Sequence, residues 1–397
     1  MKFKYKACVV GGCGHVGLPL AITLADNGLK TAIYDINHTS LKRVSSGIVP
    51  FKEIGAEVKL KNALKNKTLQ TFSEREVISE SEYLIIIIGT PIDRHLNPKI
   101  QDIHKVIREI LPQIKNGQTI ILRSTVYPGT SLSVYEFLKK NKKKVKLAFC
   151  PERIAQGYAI EEIKSLPQII SGINKASTLS ARKLFSKFVK DMVELSLEEA
   201  EVAKLFTNAW RYLQFAIANQ FFMIADQKGL DFHKILFAIK HNYPRAKSFP
   251  GAGFAAGPCL FKDTMQIAAF NNNQFFLGHA AMLVNEGLPD YIITKLKSKY
   301  DLKKKRVGIL GMAFKADNDD NRDSLSYKLK KVLEIEAKEV FCADPYIKAD
   351  TLPVKEVCNK SNILILAAPH KEYKKLKFRK NQKVVDIWNY YKKGGII

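Results

Sequence analysis

At 397 residues with 46% hydrophobic content, the chain is long enough for two or three packed domains and too apolar for wholesale disorder. No apolar run approaches the roughly 20 residues that span a bilayer, and glycines interrupt the basic N-terminus before it makes a signal-peptide core, so a cytoplasmic protein with no membrane partner is expected. The net charge of +26 suits a polyanion binder or an enzyme whose ligands carry diphosphates, but the lysines are scattered or in short runs without a nucleic-acid module, so no nucleic-acid partner is expected.

In chain order, Lys6–Val10 reads as a strand, followed at once by Gly11-Gly12-Cys13-Gly14-His15-Val16-Gly17. A helical pattern through Leu18, Leu20, Ala21, Leu24 and Ala25 then runs to Gly28, a C-cap. Strands are expected at Thr31–Tyr34, Tyr83–Ile88, Thr119–Leu122 and Lys146–Phe149, with helices such as Ile103–Ile114 and Ser131–Lys140 between them. This alternation predicts a parallel, doubly wound sheet. Ser196-Leu197-Glu198-Glu199 fits a capping box, and the Gly- and Pro-free run to Gly229 predicts one helix of about 45 Å that joins domains and carries a subunit interface. Gly278–Lys299 is a second helical stretch, bent or divided at Gly287 and Pro289. The strand–helix pattern resumes with strands at Arg306–Leu310, Glu339–Ala343, Ile363–Ala367 and Lys383–Asp386. The expected fold is therefore α/β, with two Rossmann-like doubly wound domains at 1–195 and 302–397 joined by the long central helix and a helical region at 196–301.

Gly12-x-Gly14-x-x-Gly17 between a strand and a helix is a dinucleotide fingerprint. One glycine permits the tight turn, one lets the backbone approach the pyrophosphate, and one lets helix pack on strand. The helix N-terminus offers amides and partial positive charge to phosphates, with His15 and Val16 inside the loop. Asp35 ends the next strand, where a carboxylate binds the ribose hydroxyls and repels a 2′-phosphate, so NAD is the expected cofactor. Further candidates sit at the carboxyl ends of successive strands, where such sheets place their chemistry. These are Gly89, Thr90 and Pro91, then Ser124 and Thr125, then Glu152 and Arg153. Lys204 and Asn208 share one face of the long helix and are candidate oxyanion stabilisers.

The six cysteines form no C-x-x-C pair and no disulfide framework, and no metal is expected. Five are read as small buried apolar residues. Cys259 differs, because it lies in the small-residue segment Pro250–Asp263, just before Lys262 and Asp263. Nearby cations favour its thiolate, which can attack an aldehyde, pass through a thiohemiacetal and a thioester, and be released by water with Asp263 or Glu152 as base.

Taken together, GCGHVGLPLA, YDIN, GTPID, STVYPGT, CPERIAQG, EAEVAKLFTNAWR, GFAAGPCLFKDT, GMAFKADNDDNRDS and ADP, in that order, resemble the UDP-glucose/GDP-mannose dehydrogenase family over nearly the whole chain. The resemblance implies an N-terminal NAD domain, a central helical dimerisation domain and a C-terminal domain for the nucleotide sugar. The activity it implies is the four-electron oxidation of a sugar C6 alcohol, for polysaccharide precursors. It implies Cys259 as nucleophile, Lys204 and Asn208 on the oxyanion, and Asp263, Glu152 and Thr125 around the catalytic water. Phe314, Lys315, Gly253, Phe254 and Arg153 would contact the nucleotide sugar, and Lys262 and Arg322 would lie on the cofactor side. Arg245 would reach the substrate of a neighbouring subunit in a homodimer or higher oligomer. Ala255 and Ala256 stand where the family carries a glycine pair. Leu260-Phe261-Lys262-Asp263 is similar to the UDP-glucose branch, whereas the spacing from Arg245 to Cys259 is similar to the UDP-N-acetylhexosamine branch. Two rival readings are a two-electron dehydrogenase of the β-hydroxyacid or 6-phosphogluconate type, which needs no cysteine, and a noncatalytic nucleotide-binding protein.

Overall fold

The computed structural model describes residues 3–90, 92–93, 99 and 101–394. The chain forms two compact units, residues 1–206 and 207–397.

In the first unit the strands are β1 (Tyr5–Val10), β2 (Thr31–Tyr34), β3 (Leu69–Phe72), β4 (Ser81–Ile86), β5 (Thr119–Leu122), β6 (Lys146–Phe149), β7 (Gln168–Gly172) and β8 (Met192–Glu194). They build one sheet in the order β3-β2-β1-β4-β5-β6-β7-β8. The apolar runs of β1, β4 and β5 are what a parallel sheet covered on both faces requires. Its helices are α1 (Gly17–Asp26), α2 (His38–Ser45), α3 (Ala56–Lys65), α4 (Glu76–Ser79), α5 (Gln101–Ile110), α6 (Thr130–Lys140), α7 (Ala159–Ser165) and α8 (Lys175–Phe185). One core lies under α1, α3, α7 and α8 around Val9, Leu20, Ile85 and Phe185, and the other holds Leu84, Ile107, Ile120 and Phe149. Chain order reverses between β1 and β4, so a crevice opens at the carboxyl ends of those two strands.

Helix α9 (Leu197–Gln227) carries the chain from one unit into the other. Its start is the expected capping box. The Ser196 amide donates to Glu199 at 2.8 Å, and the Glu199 amide donates to Ser196 Oγ at 3.3 Å. The second unit continues with α10 (Phe232–Lys240), α11 (Leu260–Phe270) and α12 (Phe276–Lys299). It ends in a four-stranded parallel sheet ordered β10-β9-β11-β12, from β9 (Arg306–Leu310), β10 (Glu339–Ala343), β11 (Ile363–Leu366) and β12 (Lys383–Val385), with helices α13 (Leu325–Glu336) and α14 (Val354–Lys360). A single core runs from Phe222, Leu288 and Ile292 of the helices to Ile309, Leu329 and Ile365 of the sheet. No helix among the described residues is long and apolar enough to cross a membrane.

Several elements differ from expectation. Strands β3, β7 and β8 are short or partly polar and escape an apolar-run criterion, and β6 pairs with β7 antiparallel within an otherwise parallel sheet. Strand β4 ends at Ile86 rather than Ile88, because Ile88 turns to pair with the Ser124 side chain instead of a strand. Helix α12 is neither divided nor stopped at Pro289. That proline is buried, so packing offsets the one ladder hydrogen bond it cannot donate.

Candidate active site

In the first unit the glycine loop follows β1 directly. The left-handed turn is made by Gly11 (φ 77°), whose added Cβ would lie 2.0 Å from the Ile87 carbonyl oxygen. The turn therefore falls one residue before the motif's first glycine. Gly12 is needed for packing instead, since a Cβ there would sit 2.8 Å from Ile33 Cγ2 and from the Val9 oxygen. At Gly17 a Cβ would meet the Gly11 oxygen and Gly12 Cα at 2.7 Å, so this glycine lets α1 close on the turn. At Gly14 the nearest atom is 4.0 Å away, which leaves an open backbone face for a phosphate. Asp35 accepts the Cys13 amide at 2.9 Å on one oxygen and the Asn37 amide at 2.9 Å on the other. Each oxygen keeps a lone pair for a ribose hydroxyl. His15 packs its ring on Phe51, with centroids 4.1 Å apart.

The later strand ends form a second group. Ser124 Oγ accepts the Ile88 amide at 2.8 Å and donates to the Ile88 carbonyl at 2.7 Å, splicing the end of β4 to the end of β5. Beside it Thr125 is half-buried, Thr90 is half-buried and Gly89 is exposed. Glu152 is ion-paired with the buried Arg123, and its other oxygen accepts the amides of Arg153 and Ile154 at 2.7 and 3.1 Å. The Arg153 guanidinium donates to the Pro167 carbonyl. Glu201, on α9 and 1% exposed, accepts the amides of Gly129 (2.6 Å) and Ser131 (2.9 Å), capping α6 from a distant element. Burial raises its pKa, against the opposing pull of those two amides. Lys204 is buried one turn beyond Glu201.

In the second unit Cys259 occupies the N-cap position of α11, and its carbonyl accepts the Asp263 amide at 3.0 Å. Of the six cysteines it alone is exposed. Burial raises Cys8 and Cys150 to about 12 and Cys342 to about 11. Asp263 is fully buried and accepts Asn208 Nδ2 at 2.5 Å, Gln266 Nε2 at 3.4 Å and the Lys262 ammonium. Burial pulls the Lys262 pKa down, but Asp263, Cys259 and Asp323 outweigh it and leave it raised. Arg322 makes a fork to Asp320, with Nη2 at 2.6 Å, and this bond chiefly raises its pKa, with Cys259 contributing. A helix N-terminus and two cations thus surround a thiol that is open to reagents.

The loop before Cys259 is shaped by aromatics from the C-terminal sheet. A Cβ on Gly253 would lie 2.1 Å from the Trp388 ring, and one on Gly257 (φ 102°) 2.4 Å from Phe314. Asn219 of α9 holds Gly253 at both backbone groups, accepting its N–H at 2.9 Å and donating to its carbonyl at 3.0 Å. The loop carrying Phe314 and Lys315 hangs on Asp344, which accepts the amides of Met312 and Ala313, and on His370, whose Nδ1 accepts the Asp317 amide.

Three models of one family match the chain in order. They are the UDP-glucose/GDP-mannose dehydrogenase family's NAD binding domain over residues 5–189, its central domain over 198–286 and its UDP binding domain over 308–393. The chain belongs to the UDP-glucose/GDP-mannose dehydrogenase family. It is an NAD-dependent nucleotide-sugar dehydrogenase, and the open Gly14 face and strand-end Asp35 fit that cofactor. The UDP-N-acetyl-D-mannosamine dehydrogenase of Methanococcus maripaludis is 30% identical over 385 residues, 94% of this chain and 88% of its own. Its namesake in Methanocaldococcus jannaschii is 31% identical over 382 residues, covering 93% and 86%. The solved UDP-D-ManNAc dehydrogenase of Pyrococcus horikoshii aligns with a TM-score of 0.88 at 26% identity, over 94% of this chain and 91% of that one.

Within this family member the structure joins Asn208, Asp263, Lys262 and Cys259 in one cluster, and Phe314 and Gly257 in another. Phe254 has its side chain in the hydrophobic core, so only its backbone can meet a ligand. The Ala255 methyl packs with Tyr212, Ala216 and Ala281, and Ala256 packs against the core shared with the C-terminal sheet. Both extra methyls are thus absorbed by packing. Arg245 is exposed beside the Tyr243 ring. Pro91 lies outside the described residues. Arg123, Glu201 and Asn219 were not among the expected site residues. Arg123 and Asn219 are polar residues beside or within apolar runs, and that is the signal by which they stand out, whereas Glu201 is one of three glutamates in the first turns of α9 and carries no such signal.

Proposed function

We propose that this enzyme oxidises the C6 alcohol of a UDP-N-acetylhexosamine, UDP-N-acetyl-D-mannosamine foremost, to the uronate in two steps on one site, supplying a precursor for polysaccharide synthesis. The observation that carries the mechanism is Cys259, exposed at the start of α11 beside Lys262. The names of the 30–31% identical relatives support the sugar.

Gly12–Gly17 and Asp35 would hold NAD, the loop at its pyrophosphate and the carboxylate at its ribose, and the bound cofactor would supply the hydride acceptor for both oxidations. Gly89, Thr90 and Ser124 line the same sheet edge, and Lys262 and Arg322 belong to the same side of the reaction. At the aldehyde level Cys259 forms a C–S bond, while Lys204 and Asn208 receive the developing oxyanion. After the second oxidation the sugar is a thioester. Water then adds to its carbonyl, the C–S bond breaks, and the sulfur leaves as the thiolate that Lys262 and the helix terminus favour. Glu152, Thr125 and Asp263 orient that water. Phe314, Lys315, Arg153 and the backbone of Gly253 and Phe254 hold the nucleotide sugar. The balance is one alcohol, two NAD and one water giving one carboxylate, two NADH and three protons.

This reading places the NAD domain at 1–195, the central domain at 196–301 and the nucleotide-sugar domain at 302–397, in the cytoplasm. It makes the enzyme a homodimer through the exposed face of α9, where Phe206, Trp210, Ile217, Phe221 and Ile224 fall at helical spacing. The test is NADH absorbance with a panel of UDP- and GDP-sugars. Two NADH per UDP-N-acetylhexosamine are expected. One NADH with a stable aldehyde or ketone product overturns it.

A further inference from the structure

We infer that His370 is a positioning residue for nucleotide binding, clamping the loop of Phe314 and Lys315 to the C-terminal sheet through one tautomer of a neutral imidazole. This rests on the reading proposed above that the loop holds the nucleotide sugar, and all of the residues involved belong to the second unit.

Asp344 follows β10 directly, and its carboxylate is buried. One oxygen, Oδ2, accepts the amides of Met312 (2.6 Å) and Ala313 (2.9 Å) from the turn after β9. The other, Oδ1, accepts those of Tyr346 (2.8 Å) and Ile347 (3.0 Å) beyond β10. His370, beyond β11, brings its Nε2 to 3.1 Å from Oδ2. One anion thus knits together the carboxyl ends of three strands, the edge where such sheets hold their ligands. His370 is itself wholly buried. Its ring lies edge-on to both Tyr346 and Tyr373, with centroids 5.1 and 5.4 Å away, and its carbonyl accepts the Tyr390 hydroxyl at 3.0 Å.

The other ring nitrogen, Nδ1, meets the Asp317 amide at 2.9 Å. A backbone N–H can only donate, so Nδ1 keeps its lone pair and the ring proton sits on Nε2, where it donates to Asp344. The imidazole is a fixed bridge from sheet to loop. Asp317 makes a second tie, because its Oδ1 accepts the Lys371 amide at 2.9 Å. Its backbone is left-handed, with φ at 55°, a conformation uncommon outside glycine that persists where the surroundings hold it. The loop so held is half-buried at Phe314 and Lys315, with the Lys315 ammonium 5.9 Å from the Phe314 ring centre. The same ring lies against Gly257, two residues before Cys259, where an added Cβ would be 2.4 Å from it. An aromatic face beside an ammonium suits a nucleoside diphosphate, the base or ribose on the ring and a phosphate on the cation. Fixing both before the ligand arrives removes part of the ordering cost of binding.

The test measures UDP binding to the full-length enzyme by calorimetry, beside steady-state kinetics with NAD and a UDP-N-acetylhexosamine. His370→Gln keeps a donor for Asp344 at the Nε2 position but has no acceptor at the Nδ1 position. Its Kd for UDP and its KM should rise about tenfold, with kcat held within about twofold. His370→Asn puts an amide oxygen at the Nδ1 position and should recover UDP binding to within about threefold of wild type. Gln382→Met removes a buried amide from the Cys358 and Ser361 carbonyls at the opposite end of the sheet, and should lower the melting temperature without weakening UDP. If His370→Gln does not fold, Asp317→Gly tolerates the left-handed backbone, cuts the tie to Lys371, and should weaken UDP about threefold. Wild-type UDP affinity in His370→Gln, or in Asp317→Gly where that variant stands in for it, overturns the inference. So does a His370→Asn that binds as poorly as His370→Gln, or an equal weakening in Gln382→Met. Wild-type UDP affinity in both Phe314→Ala and Lys315→Met defeats the loop reading, and the inference with it, and is seen without any His370 variant.

Discussion

Asn208 of α9 donates to the fully buried Asp263 of α11 at 2.5 Å, joining the long helix to the helix that Cys259 begins. The same carboxylate takes the Lys262 ammonium. Asp263 is therefore the hub on which the proposed oxyanion donor and the cation beside the thiol are both hung. Asp263→Asn leaves Lys262, only 15% exposed, without its charge partner. Breaking a buried pair this way costs about 3–5 kcal/mol, so the urea midpoint should fall steeply. Retention of the wild-type midpoint would show that the pair contributes little.

The exposure pattern of the cysteines makes a chemical prediction. In the native protein one thiol per chain should react rapidly with a disulfide reagent, and Cys259→Ala should remove it, because the other five are buried. Lys262→Met should slow alkylation of Cys259 at neutral pH by roughly tenfold, because a cation that favours the thiolate is lost. Peptide mapping of the labelled protein decides both points. Rapid labelling of Cys13 or Cys150 would contradict the burial.

Asn219 shows which part of the site was legible in the sequence and which was not. Lys204 and Asn208 stand out because their spacing on a long apolar helix is short and local. Asn219 lies on the same face, but its value depends on Gly253, far along the chain, and on Asn285, which accepts from it at 2.9 Å. Arg123 and Glu201 were missed for the same reason, since their partners are set by topology. The strands with continuous apolar runs, such as Thr119–Leu122 and Arg306–Leu310, were readable to the residue, whereas β7 owes its place to antiparallel pairing with β6. Asn219→Leu should strand the N–H and C=O of Gly253, at about 1–3 kcal/mol for each group. Calorimetry checks the stability loss, and Cys259 turnover should fall with it because Gly253 belongs to the same loop.

Glu201 gives a pH prediction with a defined sign. Its folded pKa lies above the ordinary 4.5 because burial disfavours the carboxylate. The folded state therefore holds this proton more tightly than the unfolded chain does. Stability contributed by the protonated form is present below 4.5 and is lost as pH rises through the folded value. Glu201→Gln cannot titrate, so the wild-type minus variant unfolding free energy should decline over that interval and then level. A difference that is flat or rises with pH would contradict the assignment.

The exposed stripe of α9 and the exposed Arg245 combine in one experiment. Phe206, Trp210, Ile217, Phe221 and Ile224 lie on the side of the helix opposite Lys204, Asn208 and Asn219, by the helical period. An apolar face of that extent against water calls for a partner, and the homodimer proposed above would supply one with two-fold symmetry. Ile217→Arg should shift the enzyme from dimer to monomer in light scattering. If Arg245 completes the neighbouring subunit's site, Cys259→Ala and Arg245→Ala are each inactive as homodimers but complement when mixed and allowed to exchange. Half of the dimers would then be mixed, each with one intact site, so activity should recover to about a quarter of wild type. An Arg245 that serves its own subunit predicts no recovery at all, and the mixture would then be no more active than its two components measured apart.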